Sequence, residues 1–196
     1  STENGSWSVA VYDNDYKDFI ESASTGFTST GLLRFEFQNL ESVNIKGVEF
    51  QSSFDINENL AATFGVNSSS GKQKSAKLTT IDPDQAIIGL LWSSPSGKLT
   101  LDTYIKATDE GPQGLPPSCG RSGCVKALEL SGHVLLETYL GYEINENLSL
   151  RLGVRNMTDE KYWDWTSVAG TSETASELDY FLNPGRNYSL SFKLTF

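Results

Sequence analysis

The residues of this chain that could carry out chemistry are few, and their spacing does not predict a catalytic set. His133 is the only histidine, and Cys119 and Cys124 are the only cysteines. No Ser-His-Asp, Cys-His or metal-ligand pattern is evident, and the carboxylates are scattered along the chain with no acid–base pair. We therefore expect that the protein is not an enzyme.

The two cysteines predict a small loop closed by a disulfide. Cys119 and Cys124 lie five residues apart in a segment rich in Pro and Gly, as is typical of a disulfide in an oxidising compartment. The alternative is half of a zinc site. It has too few ligands, because His133 is not beside the two cysteines.

Composition narrows the class of protein. The net charge of the 196 residues is −10, which argues against nucleic acid as a partner. No apolar run reaches the ~18 residues of a transmembrane helix. This does not exclude a membrane β-barrel, whose lipid-facing and lumen-facing residues alternate and cancel in a window average. The chain begins at Ser1 without Met or a signal peptide, so we expect a processed protein or a fragment.

Alternation of apolar and polar residues is the main structural signal. Leu148, Leu150 and Leu152 alternate with Ser149, Arg151 and Gly153, whereas a helix would scatter these leucines around its axis. The same pattern occupies the last ten residues, where one face carries Tyr188, Leu190, Phe192, Leu194 and Phe196. Six further segments are predicted strands, near 6–17, 44–56, 59–69, 85–93, 98–107 and 132–144.

The connections between the predicted strands alternate in length. Short polar turns lie at 57–59, 94–97 and 145–147. The long connections, near 18–43, 70–84, 108–131 and 157–184, are expected to lack regular structure. This alternation is typical of outer-membrane barrels, which have short periplasmic turns and long extracellular loops. The sequence INENL occurs at 56–60 and again at 144–148, which we interpret as two turns on the same side of the membrane.

A soluble β-sandwich or lipocalin-like barrel is the alternative, and alternation alone does not exclude it. Two features favour a membrane barrel. The face opposite the apolar stripe carries charges, which suits a wet lumen, and aromatic residues near strand ends suit interfacial girdles. The charges are Glu49, Glu137, Glu143, Arg151, Arg155 and Lys193; the aromatics are Trp7, Trp92, Tyr142, Tyr162, Trp163, Trp165 and Phe196. Eight strands fit either a small closed barrel or part of a larger one.

Several segments then resemble one family. The stretch GVRNMTDEKYWDW at 153–165 resembles the penultimate-strand motif of TonB-dependent receptors, G-x-x-N-L-x-[DN]-x-x-Y, and NPGRN at 183–187 before a terminal aromatic resembles their last strand. The Tyr-Trp-x-Trp ending and TIDPDQ at 80–85 resemble the haem and haemoglobin receptor branch. Further similar segments are YKDFI at 16–20, FQNL at 37–40 and IKGVE at 45–49. The loop with Cys119 and Cys124 departs from the family pattern.

The resemblance implies an all-β, antiparallel transmembrane β-barrel in the bacterial outer membrane. Residues 1–196 would supply about eight C-terminal strands of a plugged barrel of about 22 strands, without the plug domain or the earlier strands. The implied function is TonB-dependent uptake of haem or haem-protein iron. The implied partners are the TonB complex through the plug region, haem or a haem-carrying protein, outer-membrane lipid and the rest of the barrel. Haem is the transported ligand, and no covalent cofactor is expected.

Other functions stay open at this point. One alternative is a receptor of the same architecture for a siderophore or cobalamin. Another is a free-standing eight-stranded structural or adhesive barrel. An outer-membrane protease or lipase would need a nucleophile or an acid–base set at the barrel rim, which His133 alone does not provide.

Three residues are candidate ligand contacts at the extracellular rim: His133, Trp163 and Trp165. Histidine binds haem iron in many proteins, and exposed tryptophans often contact partners. For His133 the alternative is a rim residue facing water or lipid headgroups. For the tryptophans it is the interfacial girdle. The resemblance places the family's haem ligands upstream, so none is assigned here. A transport path could be lined by the charged residues Glu49, Glu137, Glu143, Arg151 and Arg155. The alternative, which we favour, is a lumenal salt-bridge network that packs a plug against the barrel wall.

Overall fold

The chain folds almost entirely into β-structure. The computed structural model describes all residues except 1–3, 28–32, 41, 75, 79, 114–117, 121–122 and 170. The strands are β1 Gly5–Tyr16, β2 Phe19–Phe27, β3 Leu33–Leu40, β4 Val43–Asn57, β5 Leu60–Gln73, β6 Ala76–Lys77, β7 Gln85–Ser93, β8 Leu99–Thr108, β9 Ser118–Gly120, β10 Gly123–Val125, β11 His133–Asn145, β12 Leu148–Arg155 and β13 Asn187–Leu194. A short helix α1 (Trp165–Val168) and a 3₁₀ helix (Leu178–Phe181) follow β12. Within the described residues, no helix is long and apolar enough to cross a membrane.

Eight strands form one antiparallel sheet in the order β1-β4-β5-β7-β8-β11-β12-β13, and β6 pairs with β5 at one end. These eight are the predicted strands, so that prediction is confirmed. Strands β1 and β13 do not pair with each other among the described residues. The described sheet is therefore open. The alternative of a closed eight-stranded barrel does not fit it.

The short turns confirm the interpretation of the repeated INENL sequence. The Asn57 side chain accepts a hydrogen bond from the Asn59 N–H at 2.9 Å, and Asn145 accepts one from Asn147 at 3.0 Å. In each case an Asx turn closes the hairpin, because the side-chain oxygen substitutes for a backbone acceptor. Both turns lie at the same end of the sheet, since both follow strands running the same way.

The first long connection differs from the prediction. Residues 18–43 were expected to lack regular structure, but they contain the hairpin β2–β3. It continues the β1–β4 pair as a two-stranded ribbon, since Tyr16 lies opposite Val43 and Phe19 opposite Leu40. The connections at 108–131 and 157–184 hold the short hairpin β9–β10 and the two short helices.

The register confirms that the sheet has two chemically different faces. Leu148, Leu150 and Leu152 lie opposite Leu194, Phe192 and Leu190, whereas Ser149 and Arg151 lie opposite Lys193 and Ser191. Successive side chains in a strand alternate between faces, so the apolar rows share one face. Val9 and Phe50, at the other side of the sheet, continue this apolar face.

The buried hydrophobic core lies mainly in the long connections rather than on the sheet. One cluster joins Leu40, Val43 and Leu78 at the base of the β2–β3 ribbon. The other joins Leu130, Trp165 and Val168 from two connections. The apolar face of the sheet is uncovered: Trp7 is 62% and Phe192 is 67% exposed. Exposed apolar area of this extent marks an interaction or membrane surface. It does not fit a soluble sandwich, whose inner face would be packed.

Candidate functional site

All three predicted ligand contacts line one cavity at the end of the sheet with the long connections. We call this cavity the rim pocket; its volume is about 150 Å³. Its floor is made by Gln85, Thr108 and His133, which lie opposite one another across β7, β8 and β11. Its walls come from three separate connections, those before β7, between β8 and β11, and after β12. The fold thus brings together residues that are far apart in the sequence.

His133 lies at the end of the sheet that carries the long connections, and its ring is not free. It stacks on Tyr162, with 4.5 Å between ring centroids and 29° between ring planes. His133 is on the same face as Glu137, two alternations further along β11, and so on the polar face of the sheet. Burial raises the pKa of the Tyr162 phenol, and the carboxylates of Asp164 and Glu137 add to this effect. The tyrosine is therefore a neutral aromatic partner for the imidazole.

The structure corrects the placement of one of the two tryptophans. Trp165 is only 3% exposed and packs with Leu130 and Val168, so its assignment to an exposed contact or to the girdle is wrong. Its position at the first residue of α1 turns the ring into this cluster. Trp163 is half-buried, and its indole N–H donates to the Leu178 carbonyl at 2.9 Å. By contrast, Trp7 and Tyr142 are exposed on the apolar face near strand ends, as the girdle interpretation predicts.

The polar face carries part of the predicted charged network. Arg151 forms an ion pair with Asp102 at 3.3 Å, and its guanidinium lies 5.0 Å from the centroid of the Tyr139 ring. The Tyr139 hydroxyl donates to Glu137 at 2.7 Å and accepts from Arg155 at 3.2 Å. This series of side-chain contacts links the polar faces of β8, β11 and β12.

Two expected members of that network lie apart from it. The side chains of Glu49 and Glu143 form no hydrogen bond or ion pair within the part of the chain that the structure describes. The sequence also did not single out Asp102 or Tyr139, which supply the partners of Arg151 and Arg155. Strand register decides this pairing, since Asp102 and Tyr139 lie opposite each other.

The cysteine loop forms the small hairpin β9–β10, in which Cys119 lies opposite Cys124. Cys124 is disulfide-bonded. The side chain of Cys119 lies outside the described residues, so the bond between these two cysteines stays a prediction. Among the described side chains, no group of three His, Cys, Asp or Glu residues could hold a metal ion.

Sequence reasoning missed the carboxylates of the rim pocket, Asp82, Asp109 and Asp164. Each lies on a different long connection: Asp82 just before β7, Asp109 just after β8 and Asp164 after β12. Asp82 belongs to the TIDPDQ stretch and Asp164 to the stretch ending in Trp165. The only signal in the sequence was that both stretches resemble the same receptor branch. Nothing in their spacing indicates that they meet.

Curated relatives match almost the whole of this chain. The "Probable hemoglobin and hemoglobin-haptoglobin-binding protein 4" of Haemophilus influenzae is 27% identical over 226 aligned residues, which cover 98% of this chain. The "Hemoglobin-binding protein A" of the same species is 26% identical and the match covers 96% of this chain. In both cases the match covers only 22% of the relative, so the chain spans about a fifth of their length.

Solved structures share the fold. The copper transporter OprC superposes with a TM-score of 0.81 at 19% identity, covering 100% of this chain and 30% of that chain. A variant of the ferric enterobactin receptor of Pseudomonas aeruginosa, in complex with enterobactin, gives a TM-score of 0.72 at 19% identity, with the same two coverages. The family model described as "TonB dependent receptor-like, beta-barrel" matches residues 1–157. The chain therefore belongs to the TonB-dependent receptor β-barrel family.

Proposed function

We propose that this chain is part of an outer-membrane receptor that takes up haem, or iron from haem proteins, with TonB supplying the energy. The observation that carries the proposal is that relatives matched over nearly the whole chain are named for haemoglobin binding. Family membership itself places the chain in the bacterial outer membrane, which its strands cross several times. The uncovered apolar face of the sheet is the surface that lipid would contact.

Residues 1–196 are proposed to be the C-terminal segment of the barrel, with a plug domain and earlier strands elsewhere in the same protein. Two observations support this. Both edge strands of the described sheet, β1 and β13, lack a second neighbour, and the solved relatives are more than three times as long as the matched region. An unpaired strand edge in lipid costs several kcal/mol for each backbone group left unsatisfied. The TonB complex would act through the absent plug region.

The rim pocket is the proposed contact of this segment with a haem-carrying protein. His133 and Trp163 would face the ligand there, and Trp165 would hold the pocket wall from beneath. Haem is the transported ligand in this proposal and not a resident cofactor. No catalytic role is assigned to the chain, because the family consists of receptors and transporters.

Growth with a defined iron source tests the proposed function. A strain that lacks its own haem receptors would express the full-length receptor containing this chain, with iron supplied only as haemin or as haemoglobin. Growth on at least one of these sources, lost when tonB is deleted, is the expected outcome. Failure to grow on either, with the receptor present in the outer membrane, would overturn the proposal.

A siderophore receptor is the second candidate, because a ferric enterobactin receptor shares the fold over the whole chain. At 19% identity this similarity concerns architecture and not the ligand. The same strain supplied with a ferric catecholate siderophore separates the two candidates. Growth on the siderophore without growth on haemin or haemoglobin would favour the second.

A further inference from the structure

The rim pocket has a chemistry that differs from that of a haem site. Three carboxylates line it, those of Asp82, Asp109 and Asp164. The carboxylates of Asp82 and Asp164 form no hydrogen bond or ion pair within the described part of the chain, and the carboxylate of Asp109 accepts only the backbone N–H of the adjacent Glu110 at 2.8 Å. These three groups are exposed in the described part of the chain.

A second cavity of about 380 Å³ adjoins the rim pocket and extends the negative charge. It shares Asp82 and Asp109 with the rim pocket and adds Asp84 and Glu110. Among the described residues, Lys77 is the cation that lines it. Lys106 lies near the rim pocket, since its charge acts on His133. Carboxylates outnumber these lysines, so the pair of cavities attracts positive groups.

Aromatic side chains complete the rim pocket. Trp163 and Trp165 line it together with His133, which stacks on Tyr162. Carboxylates beside aromatic rings suit an alkylammonium or guanidinium group, because the charge pairs with the carboxylates and the stem or planar head packs on the rings. The packing of Trp165 with Leu130 and Val168 fixes one wall before a ligand arrives, which lowers the ordering cost of binding.

The rim pocket by itself is too small for a porphyrin. Pockets for ligands of that size are roughly 300–1,000 Å³, whereas the rim pocket is about 150 Å³. A single long side chain fits such a volume. Buried anchors of this kind contribute most of the binding energy in many protein interfaces, and arginine is prominent among them.

We propose that the rim pocket binds a basic side chain, arginine or lysine, on the surface of a haem-carrying protein. The pocket would thus recognise the protein ligand and not haem itself. This inference rests on the proposed function, since it takes a haem protein as the ligand source. It assigns specificity to Asp82, Asp109 and Asp164, which come from three different connections.

The test uses whole cells that express the full-length receptor, with haemoglobin and free haemin as the two probes. The double variant Asp82→Asn/Asp164→Asn removes two charges with little change of shape. The matched control, Glu58→Gln/Glu146→Gln, removes two charges from the short turns at the opposite end of the sheet. A charge-conserving variant, Asp82→Glu/Asp164→Glu, separates the loss of charge from a change in folding.

We expect the Asn variant to weaken haemoglobin binding by about tenfold or more, because truncating a charge pair at an interface centre has at least this effect. The difference should shrink as ionic strength rises. Growth on haemin should be unchanged, and the Glu variant and the control should bind haemoglobin as the wild type does.

Three outcomes would overturn the inference. The first is unchanged haemoglobin binding by the Asn variant. The second is a parallel loss of growth on haemin, which would place haem or general folding at this site. The third is a wild-type receptor that supports growth on haemin but binds no haemoglobin; this would leave the proposed function intact and remove only the protein-recognition role. A receptor that uses neither source would overturn both proposals.

Discussion

The buried side chain of Asn156 links the two ends of the connection between β12 and β13. It is 2% exposed. Its side-chain oxygen accepts the N–H of Glu160 at 2.8 Å, and its side-chain N–H₂ donates to the carbonyls of Glu160 and Pro184 at 2.9 and 3.3 Å. Its backbone φ of 48° lies in the left-handed region, which asparagine tolerates better than most residues. These facts explain why this position of the family motif is asparagine.

We predict that Asn156→Ala lowers the free energy of unfolding by about 1–3 kcal/mol, because buried backbone groups lose their partners. Asn156→Gly should cost less, since glycine adopts the left-handed backbone without strain. Urea unfolding of the purified receptor in detergent measures both. Asn14→Ala, at an exposed position, is the control and should unfold like the wild type. Equal stability of Asn156→Ala and the control would contradict the assigned role.

Gly153 makes room for the ring of Tyr139 on the neighbouring strand. A Cβ at Gly153 would lie 2.9 Å from the Tyr139 Cδ1 atom and 2.5 Å from the Ser189 Oγ atom. Gly153→Ala should therefore displace Tyr139 and its contacts to Glu137 and Arg155, at a cost of about 1–3 kcal/mol. The same unfolding assay measures this cost.

A double-mutant cycle tests the physical reason. In a Tyr139→Ala background the penalty of Gly153→Ala should be smaller, because the ring that it displaces is gone. Penalties that simply add would show that the two residues do not interact.

At the residue scale, the sequence predicted which face a strand residue occupies but not what a loop residue contacts. Leu150 and Arg151 were assigned correctly, because alternation along a strand is a local property. Trp165 was not, because its burial depends on Leu130, which lies on another connection. Asp82 and Asp109 likewise line one pocket although they lie on different connections, which alternation along a strand does not predict.

At the scale of elements, the hairpin β2–β3 was missed because a short interruption on each of its two sides separates it from the strands β1 and β4. Asp18 has a φ of 55° between β1 and β2. On the returning side, β3 ends at Leu40 and β4 begins at Val43. The strands are interrupted at both places, although the pairing register is the same on either side, so a search for long alternating segments stops at β1 and β4. The pairing of Phe19 with Leu40, a tertiary contact, restores the ribbon.

The faces of β13 give a direct test of orientation in the membrane. Leu190 lies opposite Leu152 on the apolar face, and Ser191 lies opposite Arg151 on the polar face. In intact outer membranes, we expect Ser191→Cys to react with a water-soluble thiol reagent and Leu190→Cys to be protected by lipid. The reverse pattern would mean that the register is shifted by one residue.

A charge at the same position tests the lipid contact energetically. Leu190→Arg should cost about 2–4 kcal/mol if the residue lies near the bilayer midplane. Ser191→Arg, on the polar face, is the matched control and should cost much less. Folding in lipid vesicles, followed by urea titration, measures the difference.

At the scale of the whole molecule, stability comes from two separate sources. The long connections are held by their own clusters, around Val43 and around Trp165. The sheet is held by its hydrogen-bond ladder, while its apolar face has no protein layer over it. Lipid must supply that layer, since apolar area left in water favours association. The sequence already favoured this arrangement, because the face opposite the apolar stripe carries charges, which suit a wet lumen better than a packed interior.

The open edges of the sheet lead to a prediction about the complete receptor. If this segment belongs to a larger barrel, β1 and β13 have neighbours outside residues 1–196 and do not touch each other. Eight strands alone would enclose a lumen just filled by side chains, whereas a plugged transporter needs about 22. Cysteine pairs in the full-length receptor, in a background with Cys119→Ser and Cys124→Ser, distinguish the two arrangements.

Val9→Cys on β1 would be combined in turn with Tyr188→Cys, Leu190→Cys and Phe192→Cys on β13. We expect no cross-link in any of these three pairs, because a disulfide needs Cβ atoms about 3.5–4.5 Å apart. Val9→Cys with Phe50→Cys is the positive control, since these residues lie opposite each other on β1 and β4. Efficient cross-linking of β1 to β13 would mean that the eight strands close on themselves. In that case the lumen could hold neither a plug nor a porphyrin, and the proposal of a transport receptor would fail with it.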